Sequence, residues 1–205
     1  MTDLTDHTTD LTRPTAVPSV LPFADPGALG LGAFALTTFV LSFANAGWVA
    51  GAGTSVLSLA LFYGGIAQVI AGIWEFANKN TFGATAFVSF GSFWLAYWFL
   101  VISNGAASAG SGGIGVFLLA WAIFTLYMSF AAIKTNAVIL AVLVALTLTF
   151  LFLSIGAFMG VNGETVTHVG GYLGIITAIL AWYGSLATVF NSTAKRAILP
   201  VWPSK

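Results

Sequence analysis

The feature that most constrains this chain is the recurrence of apolar stretches about 20 residues long, each separated from the next by a short polar joint. Residues 73–98 show the arrangement in miniature. One apolar run closes, the chain turns through Asn78, Lys79, Asn80 and Thr81, and a second run opens. Six such runs follow one another, at about 28–47, 54–76, 83–103, 112–133, 137–158 and 168–190. At roughly 1.5 Å per residue, each is long enough to cross a hydrocarbon layer of about 30 Å. Lipid satisfies no backbone hydrogen bond, so a spanning segment must be a helix or part of a closed barrel. The runs lack the strict alternation of barrel strands. The expected fold is therefore an all-α integral membrane protein, with six transmembrane helices arranged as three successive hairpins.

Composition supports lipid as the solvent. Only 6% of the residues are charged and 59% are hydrophobic, whereas a soluble domain carries roughly 25% charged residues. Six Lys/Arg balance six Asp/Glu, which leaves nothing to attract nucleic acid. The absence of cysteine removes disulfides, thiolate metal sites and cysteine nucleophiles. Residues 1–27 are polar and lack the basic start, apolar stretch and small-residue cleavage site of a signal peptide. They read as a flexible N-terminal tail, followed by a membrane domain over 28–190 and a C-terminal tail over 191–205.

The charges also orient the chain. With six spans, the N-terminal tail, the second and fourth joints and the C-terminal tail share one side. All six basic residues (Arg13, Lys79, Lys134, Lys195, Arg196 and Lys205) fall there, and Glu164 is the one charge in the opposite joints. The positive-inside bias then places both termini in the cytoplasm.

A weak repeat runs through the odd spans, which begin near residues 28, 83 and 137. Phe34, Phe90 and Leu146 are spaced 56 residues apart, a short way into spans that run in the same direction. Their side chains should sit at similar depth, which makes a ring of three apolar groups geometrically possible. Glycines concentrate in the even spans. The Gly170/Gly174 pair has the spacing that lets helix backbones approach, and packing within one protomer is preferred over contact between protomers.

No Asp, Glu, Lys or Arg occupies the middle of a span. Glu75, four residues before Lys79, reads as half of a local ion pair. Asp25 before Pro26 suits a helix start, as do Asn80 and Thr81 before the third span. The buried polar groups are neutral, and Thr37, Thr38, Asn45, Gln68, Thr85 and Thr147 are the candidates to line a pathway. Phe34, Thr37/Thr38, Leu41 and Asn45 share one helical face, joining an aromatic ring to hydroxyl and amide groups. Hydroxyls, amide N–H groups and helix N-termini suffice to hold a small carboxylate weakly. An intramembrane chain of acids or histidines for proton relay is missing, and His168 reads as solvated. HExxH, GxSxG and a strand–helix GxGxxG are all missing too, so neither enzymatic activity nor a cofactor or metal is expected.

The stretch FYGGIAQVIAGIWEFANKNTFGATAFVSFGSFW, residues 62–94, resembles the acetate uptake transporters, also called succinate–acetate permeases. The likeness covers about residues 25–200, and WAIFTLYM followed by Lys134 adds to it. The family signature Asn-Pro-Ala-Pro-Leu-Gly-Leu is matched here by Asp25-Pro26-Gly27-Ala28-Leu29-Gly30-Leu31, and Asn80, Thr81 and Gly83 match a second motif. The resemblance implies a six-helix protomer, a homohexamer with a pore in each protomer, and passage of acetate, in some members succinate, across the plasma membrane. It also implies an apolar constriction, which maps onto Phe34, Phe90 and Leu146. Two departures stand out: a carboxylate at Asp25 in place of Asn, and Phe90 where the family usually carries Tyr. A channel for another small solute and a non-transporting packing protein are the rival readings.

Overall fold

The computed structural model describes residues 23–204, and these are helical almost throughout. The helices are α1 (Gly27–Asn45), α2 (Ala52–Leu61), α3 (Gln68–Ala77), α4 (Thr81–Ile102), α5 (Gly105–Ala132), α6 (Ala137–Met159) and α7 (Glu164–Ala194). A π-helical segment, Phe62–Ala67, joins α2 to α3 into one continuous rod. A single 3₁₀ turn, Gly160–Gly163, joins α6 to α7. Five helical runs are long and apolar enough to cross a membrane, and the last of them, Ala137–Ala194, includes that turn. At the turn the run folds back on itself, so that Thr149 Oγ1 lies 3.4 Å from Thr177 Oγ1 and Gly170 abuts Leu153. The N-terminal tail expected over 1–27 lies, up to residue 22, outside the described residues, as do Arg13 and Lys205.

Local chemistry explains the starts of α1, α4 and α6. Asp25 Oδ1 accepts a hydrogen bond from Gly27 N at 2.8 Å, and Asn80 Oδ1 accepts from Gly83 N at 3.0 Å. Asn136 Oδ1 does the same for Ile139 N at 3.0 Å. Each meets one of the first backbone N–H groups that a helix leaves without an internal partner. Two expectations are corrected here. The fourth span begins at Gly105 rather than Gly112, with a break at Gly110 (φ 64°, ψ −179°), a conformation that glycine alone adopts without strain. Glu75 does not pair with Lys79. It is buried, and its Oε2 accepts from the Asn80 amide at 2.9 Å, because Lys79 adopts a left-handed conformation as the chain leaves α3.

The most extensive interfaces join α1 to α7, α5 to α6, α6 to α7 and α3 to α4. Three of these four join different hairpins rather than the two arms of one, and α1 with α7 joins the first hairpin to the last. Small residues allow the close approaches. A Cβ on Gly171 would collide with the backbone of Asn45 and Ala46, and one on Gly174 with Ser42. The glycines of α7 therefore serve packing within the protomer. Between α4 and α5 the helices are instead held apart by rings: Phe90 meets Phe124 edge-on at 5.3 Å, and Phe93 meets Trp121 at 5.3 Å and Phe117 at 5.9 Å. Large spacers there leave room inside the bundle. The outer surface is apolar, with Phe62, Phe99 and Phe130 exposed by 65%, 63% and 66%, as lipid-facing or subunit-facing helices require.

Beyond α7 the chain turns back across the bundle end. The Asn191 side chain accepts from Ile198 N and Leu199 N at 2.8 and 2.9 Å and donates to Leu199 O at 2.8 Å. Ala137 N donates to Trp202 O at 3.0 Å, and Ser204 N to Thr135 O at 2.9 Å, fastening the tail to the α5–α6 joint.

Candidate functional site

Two internal cavities lie along the bundle. The larger, about 380 Å³, is walled by the C-terminal halves of α1, α4 and α6 together with the N-terminal parts of α5 and α7. The smaller, about 40 Å³, is walled by the N-terminal halves of α1, α4 and α6 and by Gln68 at the start of α3. Phe34 and Leu146 belong to the walls of both. Phe90 belongs to the smaller, with its ring centroid 5.8 Å from that of Phe34. All three are at least 95% buried. The shared depth expected from the spacing of 56 thus brings these three side chains together where the cavities meet.

One helical turn further along each helix lies the next tier. Thr38 follows Phe34 by four residues on α1, Trp94 follows Phe90 by four on α4, and Thr149 and Phe150 follow Leu146 by three and four on α6. All four line the larger cavity. Ser42 and Asn45 continue the α1 stripe toward its far end. On the other side, the tier of Leu31, Phe87 and Leu143 is apolar, and Gln68 is the polar member of the smaller cavity's wall.

The hydrogen-bonding state separates these polar groups. Thr149 Oγ1 donates to Ala145 O at 2.9 Å and so offers acceptor capacity only. Among the described residues, the buried side-chain N and O atoms with no partner are Thr38 Oγ1, Trp94 Nε1 and both polar atoms of the Gln68 amide. Every one belongs to a residue of a cavity wall. Buried polar groups are nearly always paired, so these four atoms are exceptions, and they are confined to residues of the walls.

The remaining candidates sit elsewhere. Thr37 is fully buried, donates to Ala33 O at 2.8 Å and packs against Gly64. Thr147 donates to Leu143 O at 2.8 Å and faces Ser129 at 3.4 Å. Thr85 is half-buried, and neither it, Thr37 nor Thr147 lines a cavity. Asp25, Pro26, Asn80, Thr81 and Gly83 gather with Glu75 at the end of the bundle nearest the smaller cavity, where Gly27 and Gly83 leave space for the Glu75 carboxylate. Of the signature residues there, Leu31 reaches the smaller cavity, Gly30 packs on Phe87, and Leu29 is exposed. Trp94, Thr149 and Ser42 are among the wall residues that sequence reasoning passed over. Helical spacing from Phe90, Leu146 and Thr38 would have found them.

The profile of the GPR1/FUN34/yaaH family matches residues 9–204. The chain belongs to this family. Among its relatives, Ammonia transport outward protein 2 of Saccharomyces cerevisiae is 42% identical over 193 residues, covering 88% of this chain and 66% of that protein. The Succinate-acetate/proton symporter SatP of Escherichia coli is 38% identical over 184 residues, covering 88% of this chain and 96% of that protein. The chain spans only 66% and 62% of the length of the two yeast relatives it matches. A solved structure titled as that of the bacterial acetate channel SatP superposes with a TM-score of 0.82 at 36% identity, covering 87% of this chain and 99% of that one. As a member of this family with several long apolar helices, the protein is a multi-pass membrane protein.

Proposed function

We propose that this protein carries acetate and related short carboxylates, including succinate, across the membrane through a narrow pore in each protomer. Passage is either channel-like or coupled to protons. The observation that carries the reading is the placement of the unpartnered polar atoms: all four belong to residues of the cavity walls on either side of Phe34, Phe90 and Leu146. That is what a path needs if a small polar solute must find hydrogen bonds on both sides of a dry barrier. The names of relatives and of the superposed structure supply the substrate class.

In this reading Phe34, Phe90 and Leu146 form the constriction. Thr38 and Gln68 hydrogen-bond the carboxylate beside it, with Ser42 and Asn45 further along α1. Six helices span the bilayer, with both termini and the basic joints cytoplasmic, so the smaller cavity faces the cytoplasm. The apolar outer faces suit lipid and neighbouring protomers in a hexamer, in the plasma membrane or a bacterial inner membrane. The test is labelled acetate uptake into liposomes holding the purified protein, with and without a pH gradient. Accumulation only under the gradient means coupled transport, and equilibrating flux means a channel. Flux no greater than in protein-free liposomes sinks the proposal.

A further inference from the structure

We infer that Trp94, with Thr38 beside it, is a donor site for the carboxylate on the wide side of the constriction, and that it makes this half of the pore selective for acceptor-only solutes over ammonium. The inference deepens the transport reading above and rests on it.

Trp94 is 2% exposed and its Nε1 has no partner among the described residues. An indole N–H can only donate. Buried Trp normally finds an acceptor for this group, and Trp94 has none within a wall rich in rings: Phe93 lies 5.1 Å from it and Tyr97 6.0 Å. Thr38 is the second orphan of the same cavity, 6% exposed. Most other buried threonine hydroxyls (Thr37, Thr125, Thr149 and Thr177) donate to the carbonyl four residues back on their own helix. Thr38 does not, so its O–H remains available.

The two residues belong to one tier. Phe34 and Phe90 are in ring contact at 5.8 Å, α1 and α4 run in the same direction, and one turn onward from those rings stand Thr38 and Trp94. A turn advances about 5.4 Å, close to the size of a two-carbon acid. A solute leaving the constriction therefore passes two wall residues of the larger cavity that carry an unpartnered N–H and an unpartnered O–H. A carboxylate is acceptor-only and matches both. An ammonium ion carries no lone pair, cannot accept from the indole, and meets the positive end of the N–H dipole. Gln68 on the narrow side, with both a donor and an acceptor, makes no such distinction. The discrimination resides in Trp94.

The experiment uses the full chain in two forms. In liposomes, Trp94→Phe keeps the ring and deletes the N–H. Losing one hydrogen bond to a charged ligand corresponds to about a tenfold or greater rise in the half-saturating acetate concentration, with maximal flux largely retained. Thr38→Val should move it in the same direction. In the wild-type protein labelled with ¹⁵N at the indole nitrogens, seven Nε1–H signals are expected from the seven tryptophans. Sodium acetate should shift the one that Trp94→Phe removes, and ammonium chloride should leave it in place. An unchanged half-saturation in a variant that transports overturns the inference while leaving the transport reading intact. So does a Trp94 signal indifferent to acetate, and that measurement decides the matter if the variant fails to fold. Wild-type protein without acetate flux overturns the transport reading instead.

Discussion

Gln68→Leu should stabilise the protein and damage its transport at once. The Gln68 side chain is fully buried, and neither its Oε1 nor its Nε2 has a partner. Each unpaired polar group in such a setting costs about 1–3 kcal/mol. Leucine, of similar size, removes both unpaired atoms, and counting only one of the two penalties gives a gain of about 1–3 kcal/mol. For a chain of 150–250 residues this raises the unfolding midpoint by about 2–12 °C. The same change removes a hydrogen bond to a charged solute worth about 1.5–3 kcal/mol, which raises the half-saturating acetate concentration about ten- to a hundredfold. Thermal unfolding in detergent and uptake into liposomes read the two effects on one preparation. A lower midpoint together with wild-type uptake would refute the reasoning, since it would mean that the amide has a structural partner and no solute.

Three further perturbations have defined outcomes. Phe34→Ala opens the wall shared by the two cavities, so acetate flux should rise and longer carboxylates should enter; unchanged rate and selectivity in liposomes would remove Phe34 from the barrier. Gly171→Ala places a methyl against the backbone of Asn45 and Ala46 and should destabilise by about 1–3 kcal/mol, as overpacking does, read as a lower unfolding midpoint. Asn80→Ala loses the cap on α4 and the amide that donates to Glu75. The cap alone is worth about 1 kcal/mol, and adding Glu75→Gln should restore part of the total loss in a double-mutant cycle of unfolding free energies.

Periodicity and capping chemistry made most of the fold legible in the sequence. The apolar runs and the caps at Asp25 and Asn80 depend on residues close together in the chain. Gly110 and the π segment were hidden, because both are backbone conformations that hydropathy does not mark, and Gly110 is exposed with nothing packed against it. At the site, the depth of Phe34, Phe90 and Leu146 could be read from equal spacing, whereas the azimuth of each helix could not. Successive residues differ by about 100° around the axis, so Thr147 is turned well away from Leu146, and Thr85, five residues before Phe90, by roughly 140° from that ring. Thr149, three residues from Leu146, keeps the face. Between Thr37 and Thr38 only tertiary packing decides. Gly64, lacking a side chain, receives Thr37, and Thr38 is left to the cavity.

The π-helical segment Phe62–Ala67 ends immediately before Gln68. A π turn holds one residue more than the α turn it replaces, so it works as a phase shifter, advancing everything downstream by about 100° relative to an uninterrupted α-helix. The amide beside the narrow cavity therefore owes its azimuth to a count of residues upstream as much as to its own identity. Removing one residue between Phe62 and Ala67 would leave glutamine in the sequence and rotate it out of the wall. Substitutions in this region are tolerated or not according to chemistry, but a change of length is a change of address.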